Sequence, residues 1–243
     1  MLIDAHAHID VDRPNVLTVL CGTDPVSAER VLKRRSSLLI PCCALHPWYA
    51  DRYSSEDMRS FIEKCPVLGE IGLDNTWTDV PMDMQRRAFR DQLLLAEAQR
   101  KPIVLHTKGM EKEIAETIAP YTVRKLVHWY SCVDYLDLYL EQDCYFTVGP
   151  DHGENAAVRE VIRRVPLNRL LTETDGLSAV EWAIGRKAEP DEIELVLRRE
   201  IEAIADAKGL SCSETEAAVY ENLLRFIYGN HAAALTLCER SDH

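Results

Sequence analysis

Eight short apolar segments, separated by polar and helical stretches, constrain the fold of this chain most strongly. Most are continuous apolar runs, which is typical of strands buried on both faces of a parallel sheet. Eight strands that alternate with helices predict an α/β fold, a parallel (β/α)₈ TIM barrel formed by residues 1–243 as a single domain. The predicted strands are 2–6, 16–21, 38–45, 67–70, 103–106, 125–128, 145–148 and 170–173.

Amphipathic patterns between and after these segments predict the helices. In DPVSAERVLKRRS, Asp24 is a predicted N-cap and Pro25 the first helical residue. Apolar residues recur at helical spacing in MQRRAFRDQLLLAEAQR, and MEKEIAETIA, VDYLDLYLEQ and ENAAVREVIRRV follow the same pattern. The C-terminal third, with DEIELVLRREIEAIADAKGL and ETEAAVYENLLRFIYG, is also predicted to be helical.

The connection between the first two strands is unusually short. Only VDRPN lies between the first strand region and the second, whereas parallel neighbours normally need a crossover of roughly a dozen residues. We therefore expect the barrel to lack its first helix. The uncovered side of the barrel would then be shielded by the C-terminal tail or by a second subunit in a homodimer.

Charge and cysteine content narrow the function classes. Lys and Arg number 28 against 40 Asp and Glu, a net charge of −12, which argues against a broad basic surface for nucleic acid. A local site with metal ions as the positive charge stays open. The eight cysteines form no C-x-x-C pair, and no apolar run reaches the ~20 residues of a membrane span. We expect a cytoplasmic protein in a reducing compartment, without a signal peptide or membrane contact.

Histidines and carboxylates concentrate where the predicted strands end. The carboxyl ends of barrel strands form the face that holds active sites in this fold. Five of the eight histidines lie at these ends, as do several acidic residues. The side chains at the strand ends are His6, His8, His46, Glu70, Asp74, His106, His128, Glu173 and Asp175.

Six of these residues are predicted metal ligands. Imidazole and carboxylate groups bind Zn²⁺, Mn²⁺ and similar ions, and six ligands suit two ions about 3.5–4 Å apart. In a strand, positions i and i+2 share a face, so His6 and His8 would bind one ion. His106 and His128, on neighbouring strands, would bind the other, with Glu70 between the two ions.

Asp175 is predicted to complete the shell of the first ion and to accept a proton from the attacking water. Its alternative role is the N-cap of the next helix. We also expect Asp74 to support a ligand from outside, or else to cap a turn. His46, Lys108 and Trp129 are predicted substrate contacts. Trp129 and its aromatic neighbours could stack on a base or simply cover the barrel top.

The chain resembles the TatD family of metal-dependent deoxyribonucleases and hydrolases. The similarity lies in AHAHID, ALHPW, LGEIGLD, PIVLHTKG, VHWYS, VPLNRLLTETD and ENLLRF, and it extends from residue 1 to about residue 228. It implies a TIM barrel of the amidohydrolase superfamily. It also implies a two-metal site, and the positions that match the family pattern are His6, His8, Glu70, His106, His128 and Asp175.

Three segments depart from the family pattern. The chain has HTK where the family usually has HSR, ETDGL in place of ETDAP, and WYSC in place of the usual Cys-Phe-Ser/Thr-Gly. The predicted ligands are retained, which supports hydrolysis, while the altered segments face the substrate. Two substrate classes therefore remain open.

The first hypothesis is a divalent-metal-dependent deoxyribonuclease that uses two Zn, Mn or Mg ions. A hydroxide bridging the ions would attack the phosphodiester, and Asp175 would take its proton. The alternative is a hydrolase of a small amide, lactone or phosphoester. A third class, a non-catalytic metal-binding or scaffold protein, is disfavoured by the complete ligand set.

Overall fold

The structure, a computed structural model, describes residues 1–8 and 13–229 and forms the predicted parallel barrel. Neighbouring strands pair in chain order from β1 to β8, and all eight predicted strands are confirmed. Asp10 and residues 230–243, the tail predicted to cover the barrel, lie outside the described residues. The strands are β1 (Leu2–Ala7), β2 (Val16–Gly22), β3 (Leu39–Cys43), β4 (Val67–Asp74), β5 (Ile103–Lys108), β6 (Lys125–Val127), β7 (Tyr145–Val148) and β8 (Leu170–Thr172).

Nine α-helices occur among the described residues, and the sequence patterns predicted seven of them. At α1, the Asp24 side chain caps the helix and Pro25 begins it, as predicted. The sequence analysis missed α2 and α7. The helices are α1 (Pro25–Lys33), α2 (Ser55–Ile62), α3 (Met82–Gln99), α4 (Glu111–Ile118), α5 (Leu136–Leu140), α6 (Ala156–Arg164), α7 (Leu177–Ile184), α8 (Glu192–Lys208) and α9 (Cys212–Tyr228).

The sequence analysis missed these two helices for different reasons. A capping box of Ser54 and Asp57 precedes α2, so a signal was present in the sequence. By contrast, the N-cap of α7 is Gly176, which has no side chain to cap the helix, and α7 spans only eight residues. Its position matters for function because it follows Asp175 directly.

Side chains close the barrel between β8 and β1, which form no strand ladder in the described part of the chain. Thr174 donates to the buried Asp4 carboxylate from its backbone nitrogen at 2.9 Å and from its hydroxyl at 2.7 Å. Arg13 donates to the same carboxylate at 2.9 Å. The backbone nitrogen of Asp175 donates to the His6 carbonyl at 3.0 Å, so the closing contacts also hold two predicted ligands together.

Two C-terminal helices cover the side of the barrel where the first helix is absent. No helix lies between β1 and β2 in residues 1–8 and 13–22, as predicted. Both α8 and α9 pack against β1 and β8. The sequence analysis assigned this cover to a C-terminal tail or a second subunit; the tail lies outside the described residues, and the second subunit stays a prediction. The long apolar faces of α8 and α9 need burial, and the space left by the first helix provides it.

The strand β4 is buried throughout and carries polar side chains toward its carboxyl end. These buried polar side chains belong to Glu70 and Asp74. Residues 1–8 and 13–229 contain no helix that combines the length and the apolarity needed to cross a membrane.

Candidate metal centre

An irregularity in β4 places Glu70 at the carboxyl end of the barrel. Between the pairs Leu68–Ile103 and Ile71–Leu105, β4 contains one residue more than β5. Such a bulge redirects the side chains next to it, and Glu70 lies within it. A comparable irregularity lies between Asp4 and Ala7 of β1 and includes His6.

The motif G-E-x-G-L-D also requires a glycine for close packing. Gly72 has a φ of 152°, and a Cβ at this position would lie 2.0 Å from the His106 carbonyl oxygen. Only glycine allows the backbone of β4 to approach β5 this closely. The close approach brings Glu70 and His106 together at the centre of the site.

The two oxygens of the Glu70 carboxylate face two different pairs of histidines. Oε2 lies 3.3 Å from Nε2 of His6 and 3.4 Å from Nε2 of His8. Oε1 lies 2.7 Å from Nδ1 of His106 and 2.5 Å from Nε2 of His128. This is the arrangement expected of a carboxylate between two metal positions.

Asp175 lies beside the first pair of histidines. Its Oδ1 is 3.4 Å from Nε2 of both His6 and His8. The backbone of Asp175 is left-handed, with a φ of 56°, which is uncommon for a residue with a side chain. The side chain is 23% exposed, so it borders the cavity as well as the histidines.

The donor set fits a divalent metal ion. Among the described residues, candidate donor atoms lie within 4.8 Å of one another in three groups. Imidazole nitrogens and carboxylate oxygens are the ligands of Zn²⁺, Mn²⁺ and related ions. The groups are His6–His8–Glu70, His6–His128–Asp175 and His46–Glu70–His106.

Carboxylates support the second histidine pair from outside. Nε2 of His106 lies 2.8 Å from Oδ2 of Asp74, which leaves Nδ1 to face Glu70. Nδ1 of His128 lies 3.5 Å from Oε1 of the buried Glu173, close to it but without a hydrogen bond. Metal-binding histidines commonly donate their other ring nitrogen to such a group. The contacts of Asp74 suit both roles weighed for it, because it also caps the following turn by accepting from the Trp77 backbone nitrogen.

Cys21 supports the first histidine pair, a role that the sequence analysis missed. Its Sγ lies 3.2 Å from Nδ1 of His6, and its carbonyl oxygen lies 3.3 Å from Nδ1 of His8. The cysteine is buried at the end of β2, beside β1. Its place at a strand end was the available signal, but a lone cysteine in an apolar run has the appearance of a core residue.

His46 lies within the cluster. Its Nε2 is 3.5 Å from Oε2 of Glu70, and its Nδ1 accepts a hydrogen bond from the Trp48 backbone nitrogen at 3.2 Å. The ring is buried. With Nδ1 accepting, the neutral ring carries its proton on Nε2, directed toward the cluster.

Lys108 and Trp129 line a cavity of about 510 Å³ in front of the cluster. Nζ of Lys108 donates to the Trp129 carbonyl at 2.9 Å and to the Ser131 hydroxyl at 3.0 Å. The Trp129 ring is almost fully buried. All the predicted site residues therefore surround one cavity or support its wall.

The family of the chain follows from comparison with known proteins. Residues 3–228 match the family described as TatD related DNase. The chain belongs to the TatD family. Its fold is also that of the structure of YJJV, a TatD homologue from Escherichia coli, with a TM-score of 0.79 over 93% of this chain and 97% of that one at 22% identity.

Relatives in the TatD family point to metal-dependent hydrolysis of ester bonds. The uncharacterized metal-dependent hydrolase YabD of Bacillus subtilis is 26% identical over 254 residues, covering 93% of this chain and 98% of that protein. The human 3'-5' RNA nuclease TATDN2 is 27% identical over 144 residues, covering 54% of this chain and 19% of that protein. This chain is accordingly a TatD-type metal-dependent hydrolase.

Charges within the TatD-type cluster shift the pKa values of its acids. Burial alone would raise the pKa of Glu70, but the surrounding histidines, His128 foremost, hold it well below its usual value. Burial likewise opposes ionisation of Asp175, yet its hydrogen bond with His6 and the charges of His8 and His6 lower its pKa to about 2. Both side chains are therefore carboxylates at neutral pH.

The histidines respond in opposite directions. Burial tends to lower the pKa of His6, but Cys21, Glu70 and Asp175 outweigh it and raise the pKa well above 6.5. Burial dominates at His46 and lowers its pKa to about 4. His46 is therefore neutral at pH 7 and presents an N–H donor rather than a charge.

Proposed function

We propose that this chain is a deoxyribonuclease that hydrolyses phosphodiester bonds with two divalent metal ions. The observation that carries the proposal is the Glu70 carboxylate between the pairs His6–His8 and His106–His128. Membership of a family described as TatD related DNase supports the substrate class. The acidic protein needs a local positive centre for a phosphate, and metal ions would supply it.

The proposed ligands are two histidine pairs joined by one carboxylate and completed by another. Bound divalent ions lower the pKa of water from 15.7 to about 7 and polarise a phosphoryl oxygen. Zn, Mn and Mg all suit a site of imidazoles and carboxylates, so the donor set does not select one. The proposed ligands are His6, His8, Glu70, His106, His128 and Asp175.

Asp175 is the proposed proton acceptor for the attacking water. Its position beside His6 and His8 places a carboxylate oxygen at the edge of the cluster, where it is still partly exposed to the cavity. With a pKa of about 2, the group is ionised at every pH at which the enzyme would work. Its backbone hydrogen bond to His6 holds the carboxylate in place.

His46 and Lys108 are the proposed contacts to the substrate phosphate. The Nε2 proton of His46 is directed at the cluster, where it can bond to a phosphoryl oxygen without adding charge. Lys108 adds a positive charge at the cavity wall, held there by its bonds to Trp129 and Ser131. Neither residue belongs to the six proposed ligands.

The alternative substrate is a small amide, lactone or phosphoester. A cavity of about 510 Å³ falls within the range of small-molecule pockets, and it supports this second candidate. A mononucleotide at the end of a strand occupies a comparable space, so the cavity suits both candidates. The name of the relative TATDN2 adds RNA as a third polymer to be tested.

The test is degradation of end-labelled single-stranded DNA and RNA by protein reconstituted separately with Mg²⁺, Mn²⁺ and Zn²⁺. We expect a ladder of DNA products from the wild type and none from Asp175→Ala, which controls for contaminating nucleases. Absence of cleavage, with metal confirmed in the protein, would contradict the proposal. A screen of small esters and amides would then decide for the alternative.

Cytoplasmic location and a homodimer stay predictions from the sequence. With α8 and α9 packed against β1, the missing first helix no longer requires a second subunit. Sedimentation of the purified protein would show whether it dimerises.

A further inference from the structure

All four tryptophans of the chain line the cavity in front of the metal centre. Trp48, Trp77 and Trp182 are 39%, 57% and 62% exposed, while Trp129 is buried. Large aromatic side chains normally bury most of their surface, and exposed ones at a cavity often mark a binding site.

Trp129 is fixed in position by three contacts. Its backbone nitrogen donates to the Thr147 hydroxyl at 2.8 Å, and its indole Nε1 donates to Asp151 at 2.7 Å. The ring lies against Gly149, where an added Cβ would be 2.8 Å from the indole. The backbone of Trp129 is left-handed with a φ of 35°. A bulky residue in this conformation is strained, and such strain clusters at functional sites.

Trp182 and Trp77 extend this surface outward from Trp129. Ring centroids of Trp182 and Trp129 are 5.8 Å apart at 72°, and those of Trp182 and Trp77 are 6.3 Å apart at 86°. These three residues, here called the aromatic wall, come from α7 and from the segments after β6 and β4. More than half of the surface of Trp77 and of Trp182 is exposed, which leaves room for the ring of a ligand.

The aromatic wall is connected to the metal centre through Asp74 and Lys108. Asp74 accepts from the Trp77 backbone nitrogen at 2.8 Å and contacts His106 at 2.8 Å, so one carboxylate orders both. Nζ of Lys108 lies 5.7 Å from the centre of the Trp129 ring. Indole rings, a cation and proposed metal ligands thus adjoin one cavity.

We propose that the aromatic wall binds the base of a terminal nucleotide while Lys108 and the metal centre hold the adjoining phosphates. The inference rests on the proposed phosphodiester hydrolysis and adds to it the side chains that contact the base. A base can stack on indole only after leaving its own stack, which is easiest in a single strand. Stacking of this kind tolerates every base, so the preference is for structure rather than sequence.

The test compares two ligands that differ only in the base. Deoxyadenosine 5′-monophosphate and 2-deoxyribose 5-phosphate carry the same sugar and phosphate. Binding to metal-reconstituted protein is followed by intrinsic tryptophan fluorescence, which reports on the cavity because every tryptophan lines it. We expect the nucleotide to bind roughly 5- to 150-fold more tightly, the range typical for stacking of one base.

Variants assign the difference to the aromatic wall. By calorimetry, Trp182→Ala should abolish most of the preference for the nucleotide, and Trp182→Phe should restore part of it, because phenylalanine keeps a flat ring. The affinity for 2-deoxyribose 5-phosphate should stay unchanged in both. Leu94→Ala is the matched control, since Leu94 is 61% exposed on α3 and does not line the cavity.

Equal affinity of the two ligands for the wild type, or a preference that persists in Trp182→Ala, would overturn the inference. A change in sedimentation of Trp182→Ala, with nucleotide binding intact, would also overturn it and assign the wall to subunit contact. These outcomes are independent of catalysis. Failure to cleave either DNA or an abasic oligomer would contradict the proposed function instead. The nucleotide titration would still test the aromatic wall in that case, because it measures binding and not cleavage.

Discussion

Oδ2 of Asp74 lies 2.8 Å from Nε2 of His106, and this contact turns Nδ1 of the same ring toward Glu70. Asp74 also bonds to the Trp48 indole at 2.7 Å and to the turn that carries Trp77. Burial opposes its ionisation, yet the hydrogen bond and charge of His106 hold the pKa of Asp74 well below its usual value. This buried carboxylate is thus charged, and it contacts both the metal centre and the wall of the cavity.

Replacement of this carboxylate should weaken metal binding. In Asp74→Asn the neutral amide no longer compensates the His106 ring, and we expect metal affinity or activity to fall about 10- to 100-fold. Metal titration by calorimetry checks the affinity. Asp79→Asn, an exposed change in the same connection, should leave it unchanged. Wild-type affinity in Asp74→Asn would show that His106 needs no external support.

Asp175 should matter more for turnover than for metal content. Loss of a general base costs about 10²- to 10⁴-fold in rate, and the remaining histidines and Glu70 still offer ligands in Asp175→Ala. Metal analysis and kcat on one preparation check this, with Asp191→Ala as an exposed control. An equal loss of metal content and of turnover would show that Asp175 acts only as a metal ligand.

Cys21 should contribute to metal affinity through the His6 ring. When Nε2 of His6 binds a metal, Nδ1 carries the proton and donates to the sulfur 3.2 Å away. We expect Cys21→Ala to bind metal about 10- to 100-fold more weakly. Cys144→Ala removes a similarly buried cysteine just before β7, so it should cost stability but not metal affinity. Equal affinity of the two variants would argue against this role.

Because of Glu200, the free energy of unfolding should decrease as the pH rises above the pKa of an ordinary glutamate. Burial, with the charges of Asp4 and Glu173, raises the pKa of Glu200 well above 4.5. The unfolded chain therefore releases this proton at lower pH than the folded one, and stability falls between the two pKa values, by roughly 1.4 kcal/mol per pH unit. Glu200→Gln should remove that part of the decline.

Denaturant unfolding of wild type and variant from pH 5 to pH 8 provides the measurement. Glu202→Gln, an exposed change on the same helix, should keep the slope of the wild type. Identical pH profiles for Glu200→Gln and the wild type would mean that Glu200 is ionised in the folded protein.

Arg13 should be important for closure of the barrel. It pairs with the buried Asp4, whose carboxylate also accepts from Thr174 across the β8–β1 boundary. Removal of one partner from a buried ion pair typically costs about 3–5 kcal/mol, because the other charge loses its compensation. We expect this loss in Arg13→Ala by urea unfolding. Arg59→Ala, which breaks the exposed pair with Glu56, should have a far smaller effect.

Much of the candidate site was predictable because it depends on local patterns. The position of His106 and His128 at strand ends follows from apolar runs that terminate at a polar residue. Parallel strands deliver such ends to the same face of the barrel, so the sequence was sufficient to group them. The orientation of each ring was not predictable, because its partners Asp74 and Glu173 come from other strands.

The contacts that the sequence analysis missed join residues far apart in the chain. Trp182 meets Trp129 through a short helix without a capping side chain, and Cys21 meets His6 across a strand pair. No periodicity encodes such pairs. The covering of β1 by α8 and α9 is of the same kind, since amphipathic helices show that a face needs burial but not which strand buries it.

The sequence by itself determined the eight strands, the fold class and the six residues proposed to bind metal. Buried strands and their ends can be recognised from short apolar runs that stop at a polar residue. Only the tertiary structure decided how those residues meet. The bulge that contains Glu70 occurs where β4 pairs with β5, and the joining of β8 to β1 rests on Asp4 and Thr174, 170 residues apart. Such relationships depend on the distance between side chains in the folded protein, which a local sequence pattern does not predict.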